Sequence, residues 1–198
     1  MAGSKLVDAL VEFLSYTGVD SIPDEIRSRC KITFLDTLGV MIAGGQETEA
    51  VRLSRRLIAR GEGGNVTALV DSFPLVRLES AALLNGMAVS LLELDQGDWY
   101  SCVHPAAQVV PSLMALAEKL RRPGMAFILS FLLGYEVLAR LARACRPKEG
   151  ARSVAVLGPI GAAAATAHLW GFRGDRLKQA INIAANVETP VLIGDLSR

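Results

Sequence analysis

Apolar side chains recur every three or four positions along most of this chain, the spacing of one buried face on an α-helix. The first such face carries Leu6, Ala9, Leu10 and Phe13, with Ser4 placed as its cap and Gly18 as its stop. Pro23, Asp24 and Glu25 open a second helix, its acids in the first turn where the helix dipole favours them. The buried side of that helix runs through Ile26, Cys30, Phe34, Leu38 and Met41, and it ends at Gly44 and Gly45. A third helix covers Glu47 to Arg60 and stops at Gly61. Residues 61–65 read as a turn, and Val66 to Val70 as a short strand. Further helices are predicted over Leu75–Leu92, Pro105–Leu120, Met125–Cys145, Pro159–Trp170 and Asp175–Val187. No internal repeat, heptad run or low-complexity segment interrupts the series. The pattern predicts an all-α fold, a compact multi-helix domain that takes in residues 1–198 as one unit.

Between the helices ending near Leu92 and starting at Pro105 lies a polar loop with three carboxylates (Glu93, Asp95, Asp98), Trp99, Tyr100 and one of the chain's two histidines, His104. Pro105 suits the first turn of a helix, so the loop ends by setting an imidazole beside a helix N-terminus. Free N–H groups and partial positive charge make such an end suited to an anion. A base beside an anion site is the minimum equipment for removing a proton next to a carboxylate. The same features also suit a histidine that starts a helix while bonded to a nearby carboxylate.

The net charge of +1 and the lack of a basic stripe with interleaved aromatics argue against nucleic acid as a partner. Arg52, Arg55 and Arg56 read as the wet face of a helix. Three cysteines, Cys30, Cys102 and Cys145, are widely spaced without a CxxC pair and read as reduced thiols of a cytoplasmic protein. The apolar stretches Met125–Val137 and Val154–Trp170 both look too short or too broken to span a membrane, so the chain is expected to be soluble. His168, within an apolar helix, reads as a core or interface histidine. Two histidines far apart, with no paired cysteines, give no metal-site spacing. Cys102 lies two residues before His104, but spacing alone does not make a Cys–His nucleophile.

Several segments follow one another in an order similar to a known family: Ala81–Ala88, Leu92-Glu93-Leu94-Asp95, His104-Pro105, Pro111–Glu118, Gly134–Arg140 and Gly158–Ala165. Together they resemble the N-terminal part of the MmgE/PrpD family, which includes 2-methylcitrate dehydratase, cis-aconitate decarboxylase and iminodisuccinate epimerase. The resemblance covers essentially the whole chain. It implies the family's helical, dimer-forming domain without its α/β lid, and acid–base chemistry on small di- and tricarboxylates with no metal or organic cofactor. Glu93 then stands at the place of an active-site aspartate, Asp95 at a second acidic position, and Gln96 where a further aspartate is usual. His104 matches the first catalytic histidine, with one residue inserted in the loop. Arg152 stands where a second histidine is usual; it can clamp a carboxylate but not act as a base at neutral pH. The family's later lysine and a further histidine would fall beyond Arg198.

The expected function is therefore lyase- or isomerase-type chemistry, dehydratase- or decarboxylase-like, without a cofactor. His104, Glu93 and Asp95 are the catalytic candidates, and Arg152 and Gln96 the substrate-binding ones. The apolar exit at Pro190–Ile193 suggests a truncated or split enzyme completed by another chain, or else self-association as a homo-oligomer. Two alternatives stand beside this: a non-catalytic helical scaffold, and a repurposed pocket acting on a larger metabolite.

Overall fold

The computed structural model describes residues 2–145 and 153–186. Among them eight α-helices dominate: α1 (Ala2–Tyr16), α2 (Asp24–Gly44), α3 (Thr48–Ala59), α4 (Leu78–Leu91), α5 (Pro105–Leu120), α6 (Gly124–Ala144), α7 (Ser153–Trp170) and α8 (Gly174–Ala185). A 3-10 turn, Val19–Ser21, joins α1 to α2. Two short strands, β1 (Gly63–Thr67) and β2 (Leu75–Val76), pair antiparallel with a bulge between Gly63 and Val66. The all-α expectation holds, with this small sheet as an addition.

Helices α5, α6 and α7 form the centre, with α4 and α2 packed beyond α5 and α8 and α1 beyond α7. The reason for the close packing is legible in the side chains. A Cβ added to Gly134 of α6 would sit 2.6 Å from Ala165 Cβ and 2.8 Å from the Gly161 carbonyl oxygen. One added to Gly161 of α7 would meet Leu138 Cβ at 2.8 Å. Small residues here let two backbones approach, and Leu133, Val137 and Leu138 fill the space to either side, fully buried. Each such leucine contributes on the order of 2 kcal/mol through removal of its surface from water.

Four expectations need correction. Ser4 lies inside α1 rather than capping it, because the helix already begins at Ala2. Pro159 is interior to α7, which starts six residues earlier at Ser153. The strand lies at 63–67 rather than 66–70, and Leu75 and Val76 belong to its partner rather than to α4. The pairing is locked by Asn85, fully buried in α4: its Oδ1 accepts from Leu69 N at 2.7 Å, and its Nδ2 donates to Thr67 O at 3.3 Å. Finally, α6 is long and apolar enough, by length and composition, to cross a membrane, contrary to the reading of its sequence. Most of that apolar window is buried as the core helix of this fold.

Candidate functional site

Helix α4 ends at Leu91, and the chain turns at Glu93, whose φ of 51° places it in the left-handed region. The loop that follows is closed on itself. Asp98 N donates to Val103 O and Cys102 N to Asp98 O, both at 2.8 Å, and Asp98 and Val103 form an isolated antiparallel bridge. Val103 is fully buried in the core cluster that includes Val137, Leu138 and Leu141 of α6. The tip between the two anchors is exposed at Trp99 and Tyr100.

Asp98 holds this turn. Its carboxylate accepts from the Ser101 hydroxyl and from Arg143 Nη2 at 3.2 Å. Burial pushes the Asp98 carboxyl up, but these hydrogen bonds outweigh it, and the group sits below the ordinary aspartate range. The Arg143 guanidinium also stacks over the Tyr100 ring, 5.3 Å from its centroid. Arg143 stands in the last turn of α6. Its partner lies 45 positions away, and no local signal links the two.

One residue beyond Val103 stands His104, which precedes the first residue of α5 and makes no side-chain cap to it. His104 Nδ1 lies 3.0 Å from Asp95 Oδ2 and 3.2 Å from the Asp95 carbonyl oxygen. Both neighbours are acceptors, so the neutral ring carries its proton on Nδ1 and leaves Nε2 bare. The Asp95 side chain is 10% exposed and that of His104 is 43% exposed. The orienting carboxylate is thus withdrawn from water while the imidazole remains open to a ligand. This is the relation in which a carboxylate fixes the tautomer and orientation of a histidine base.

The imidazole opens on a cleft of about 430 Å³ lined by Gly97, Asp98, Trp99, Cys102, Val103 and His104. At its edge α5 begins with Pro105 and no side-chain cap, so the N–H groups of its first turn have no helical partner. The Cys102 thiol contacts the Trp99 carbonyl at 3.9 Å.

The structure brings His104 and Asp95 together, and neither Glu93 nor Gln96 lines the cleft. Glu93 is exposed at the end of α4 and does not line the cleft. Gln96 donates to Gly97 O at 2.7 Å and to Tyr135 Oη at 3.0 Å, and its Oε1 is buried without a partner among the described residues. The phenol of Tyr135 is pushed above its ordinary range by burial, against the opposing Gln96 bond. Arg152 lies outside the described residues. Gly158 packs against Gln108, whose Oε1 would lie 2.4 Å from an added Cβ, in keeping with a packing role for the glycines of this segment. His168 is buried, as its sequence context implied, with Nδ1 2.8 Å from Ser130 Oγ. No group of three or more metal-ligating side chains occurs among the described residues.

The family model described as the MmgE/PrpD N-terminal domain matches residues 8–192. Cis-aconitate decarboxylase from Homo sapiens is 31% identical over 179 residues, which is 85% of this chain and 36% of that relative. The Mus musculus enzyme of the same name is 30% identical over the same length. The one from Aspergillus terreus is 24% identical over 192 residues, 92% of this chain and 39% of the relative. The chain thus spans well under half the length of the curated relatives it matches.

Proposed function

Because this chain belongs to the MmgE/PrpD family through its N-terminal domain, we propose that it carries the proton-transfer part of a lyase site acting on a small polycarboxylate. The observation that carries this reading is the pairing of His104 Nδ1 with Asp95 at 3.0 Å, which leaves Nε2 bare over a cleft. A neutral imidazole so oriented takes a proton from carbon next to a carboxylate, and as imidazolium returns one to carbon or to a leaving hydroxyl. Asp95 steadies the positive charge that appears on the ring in that exchange. The open first turn of α5 offers N–H groups to a substrate carboxylate, the stabilisation a developing carbanion requires. Gln96 braces the loop from beneath through Tyr135, and Arg152 supplies a carboxylate clamp.

The name shared by the relatives, cis-aconitate decarboxylase, favours decarboxylation within this class. In that step carbon dioxide leaves its bonding pair on carbon, and His104, first protonated from solvent at Nε2, gives the proton that takes its place. The relatives are much longer, so residues outside this segment, in the same polypeptide or a partner chain, complete the pocket.

The test is proton exchange in heavy water, followed by NMR, over a panel of di- and tricarboxylic acids, using the polypeptide that carries these residues. Exchange or product formation that falls at least about 10²-fold in His104→Ala supports the reading. Turnover that survives His104→Ala, or a silent panel with the complete polypeptide, refutes it.

A further inference from the structure

A second cleft, of about 480 Å³, lies where the α5–α6 and α7–α8 connections meet. Its walls include Arg122 and Arg173, with Ser130 and His168 at its floor. The proposed reaction does not use it. Arg122 directly follows the C-cap residue of α5, whereas His104 precedes the first residue of that helix. Sixteen residues of α-helix separate the two ends, about 24 Å at 1.5 Å per residue.

Three independent features suit this cleft to an anion. First, each guanidinium is held by main-chain carbonyls: Arg122 Nη2 donates to Trp170 O at 3.3 Å, and Arg173 Nη1 to Phe172 O at 2.7 Å and to His168 O at 3.4 Å. A guanidinium has five N–H donors, so most remain for a ligand. None of the ion pairs among the described residues involves either arginine. The acids nearest in sequence to the lining residues are Asp20, in the 3-10 turn beside Val19, Asp175, in the first turn of α8, and Glu118, four residues before Arg122, whose carboxylate accepts from Thr67 N and Thr67 Oγ1. Asp175 instead adds to the field on Lys178, which itself pairs with Asp8.

Second, α6 and α8 both begin at this cleft. Their N-cap residues, Pro123 and Arg173, line it, and neither supplies a side-chain cap. Two sets of unpaired N–H groups and two positive dipole ends therefore converge on one opening.

Third, the His168 side chain is more than nine-tenths buried and forms part of the wall, with Nδ1 engaged by Ser130 and Nε2 without a protein partner among the described residues. The Ser130 hydroxyl has no other acceptor among the described residues, so it donates to Nδ1, and the ring proton resides on Nε2 as a donor. Two forked cations, two helix starts and a neutral N–H donor suit one ligand chemistry.

We propose that this cleft binds a small oxyanion, a phosphate or a carboxylate, between Arg122 and Arg173, with His168 Nε2 beneath it. The site is separate from the His104 cleft and does not depend on the chemistry proposed there.

The test is an NMR titration of the labelled polypeptide with inorganic phosphate and, separately, with the tricarboxylate tricarballylate, following the Arg122 and Arg173 Nε–H signals and the His168 ring. Saturable shifts of these signals are expected. Followed at the His168 ring, which both double variants keep, the apparent affinity should weaken about tenfold or more in Arg122→Gln, Arg173→Gln, and less in Arg122→Lys, Arg173→Lys, which keeps the charge but loses the fork. His104→Ala should bind as the unaltered protein does. The anion that saturates at lower concentration identifies phosphate or carboxylate as the source. The proposal is overturned if neither anion shifts these signals at tens of millimolar, if the His168 ring shift keeps its full affinity in the double glutamine variant, or if His104→Ala abolishes the shifts.

Discussion

Arg143, in the last turn of α6, reaches the loop before α5 and sets its Nη2 3.2 Å from Asp98 Oδ2. The contact ties a loop with little regular structure to the most deeply packed helix pair of the fold. Arg143→Gln should therefore loosen the loop more than it destabilises the whole. A loss on the order of 1 kcal/mol is expected, together with faster amide exchange at Cys102, whose N–H bonds Asp98 O. Unchanged exchange at Cys102 would show that Val103 alone anchors the turn.

Asp98→Asn carries a pH signature. The Asp98 carboxyl is held below its ordinary value in the folded chain, so its stabilisation is present above the unfolded aspartate value near pH 4 and is lost as pH falls through the folded one. The variant should be less stable at neutral pH and converge on the unaltered protein in acid. Parallel denaturation curves with a constant gap down to about pH 2 would contradict this.

Asp95→Asn tests the orientation of the base. The amide can offer its N–H₂ to Nδ1, which favours the wrong tautomer and places the ring proton on Nε2. Turnover should fall on the order of 10²-fold or more with little change in KM. Asp95→Glu should recover part of it. A KM effect alone would point to substrate binding instead.

His168 predicts weakness on the acid side. Burial foremost, and then the Arg173 charge, lower it to about 4 in the folded chain, against about 6.5 when exposed. Between those two values the unfolded chain binds a proton that the folded chain does not, so stability rises with pH across this window. A loss on the order of 2 kcal/mol from pH 7 to 4 is expected, and His168→Gln should remove most of that slope while keeping a partner for Ser130. An equal slope in the variant would assign it to other groups.

Gly134→Ala adds one methyl group where two backbones meet, against Ala165 Cβ at 2.6 Å. A destabilisation of about 1–3 kcal/mol follows from overpacking. Gly18→Ala, with nothing near its Cβ position, serves as the control in thermal melts. A loss no greater than the control's would mean that α6 and α7 can part without cost.

Helix positions were largely legible because apolar spacing and Pro or Gly punctuation are local signals, and α5 runs from Pro105 to Leu120 as its sequence implies. Pairing between distant segments was not. The sheet was misplaced because Val66 and Thr67 pair with the distant Val76 and Leu75, and Asn85, a polar residue inside an apolar helix, bonds backbone groups of another segment. At the site, His104 and Asp95 stood out by residue type, and a family resemblance ordered them. The clasp of Asp98 by Ser101 and Arg143, and the bond from Gln96 to Tyr135, arise only when α6 folds beside the loop. The Ser130–His168 pair was hidden for the same reason, since two apolar helices gave no hint that they share a polar contact.

The turn from Asp98 to Val103 is clipped at both ends and by Ser101 within, and at its tip Trp99 and Tyr100 stand in solvent, Tyr100 beneath the Arg143 guanidinium. Length and composition at its tip are thus uncoupled from the placement of His104. Insertions are tolerated where exposed backbone bridges two fixed points, and a one-residue difference in loop length is absorbed there without shifting the imidazole. A lineage, or an engineer, can rewrite the rim of the cleft at the tip and leave its reacting group where it stands.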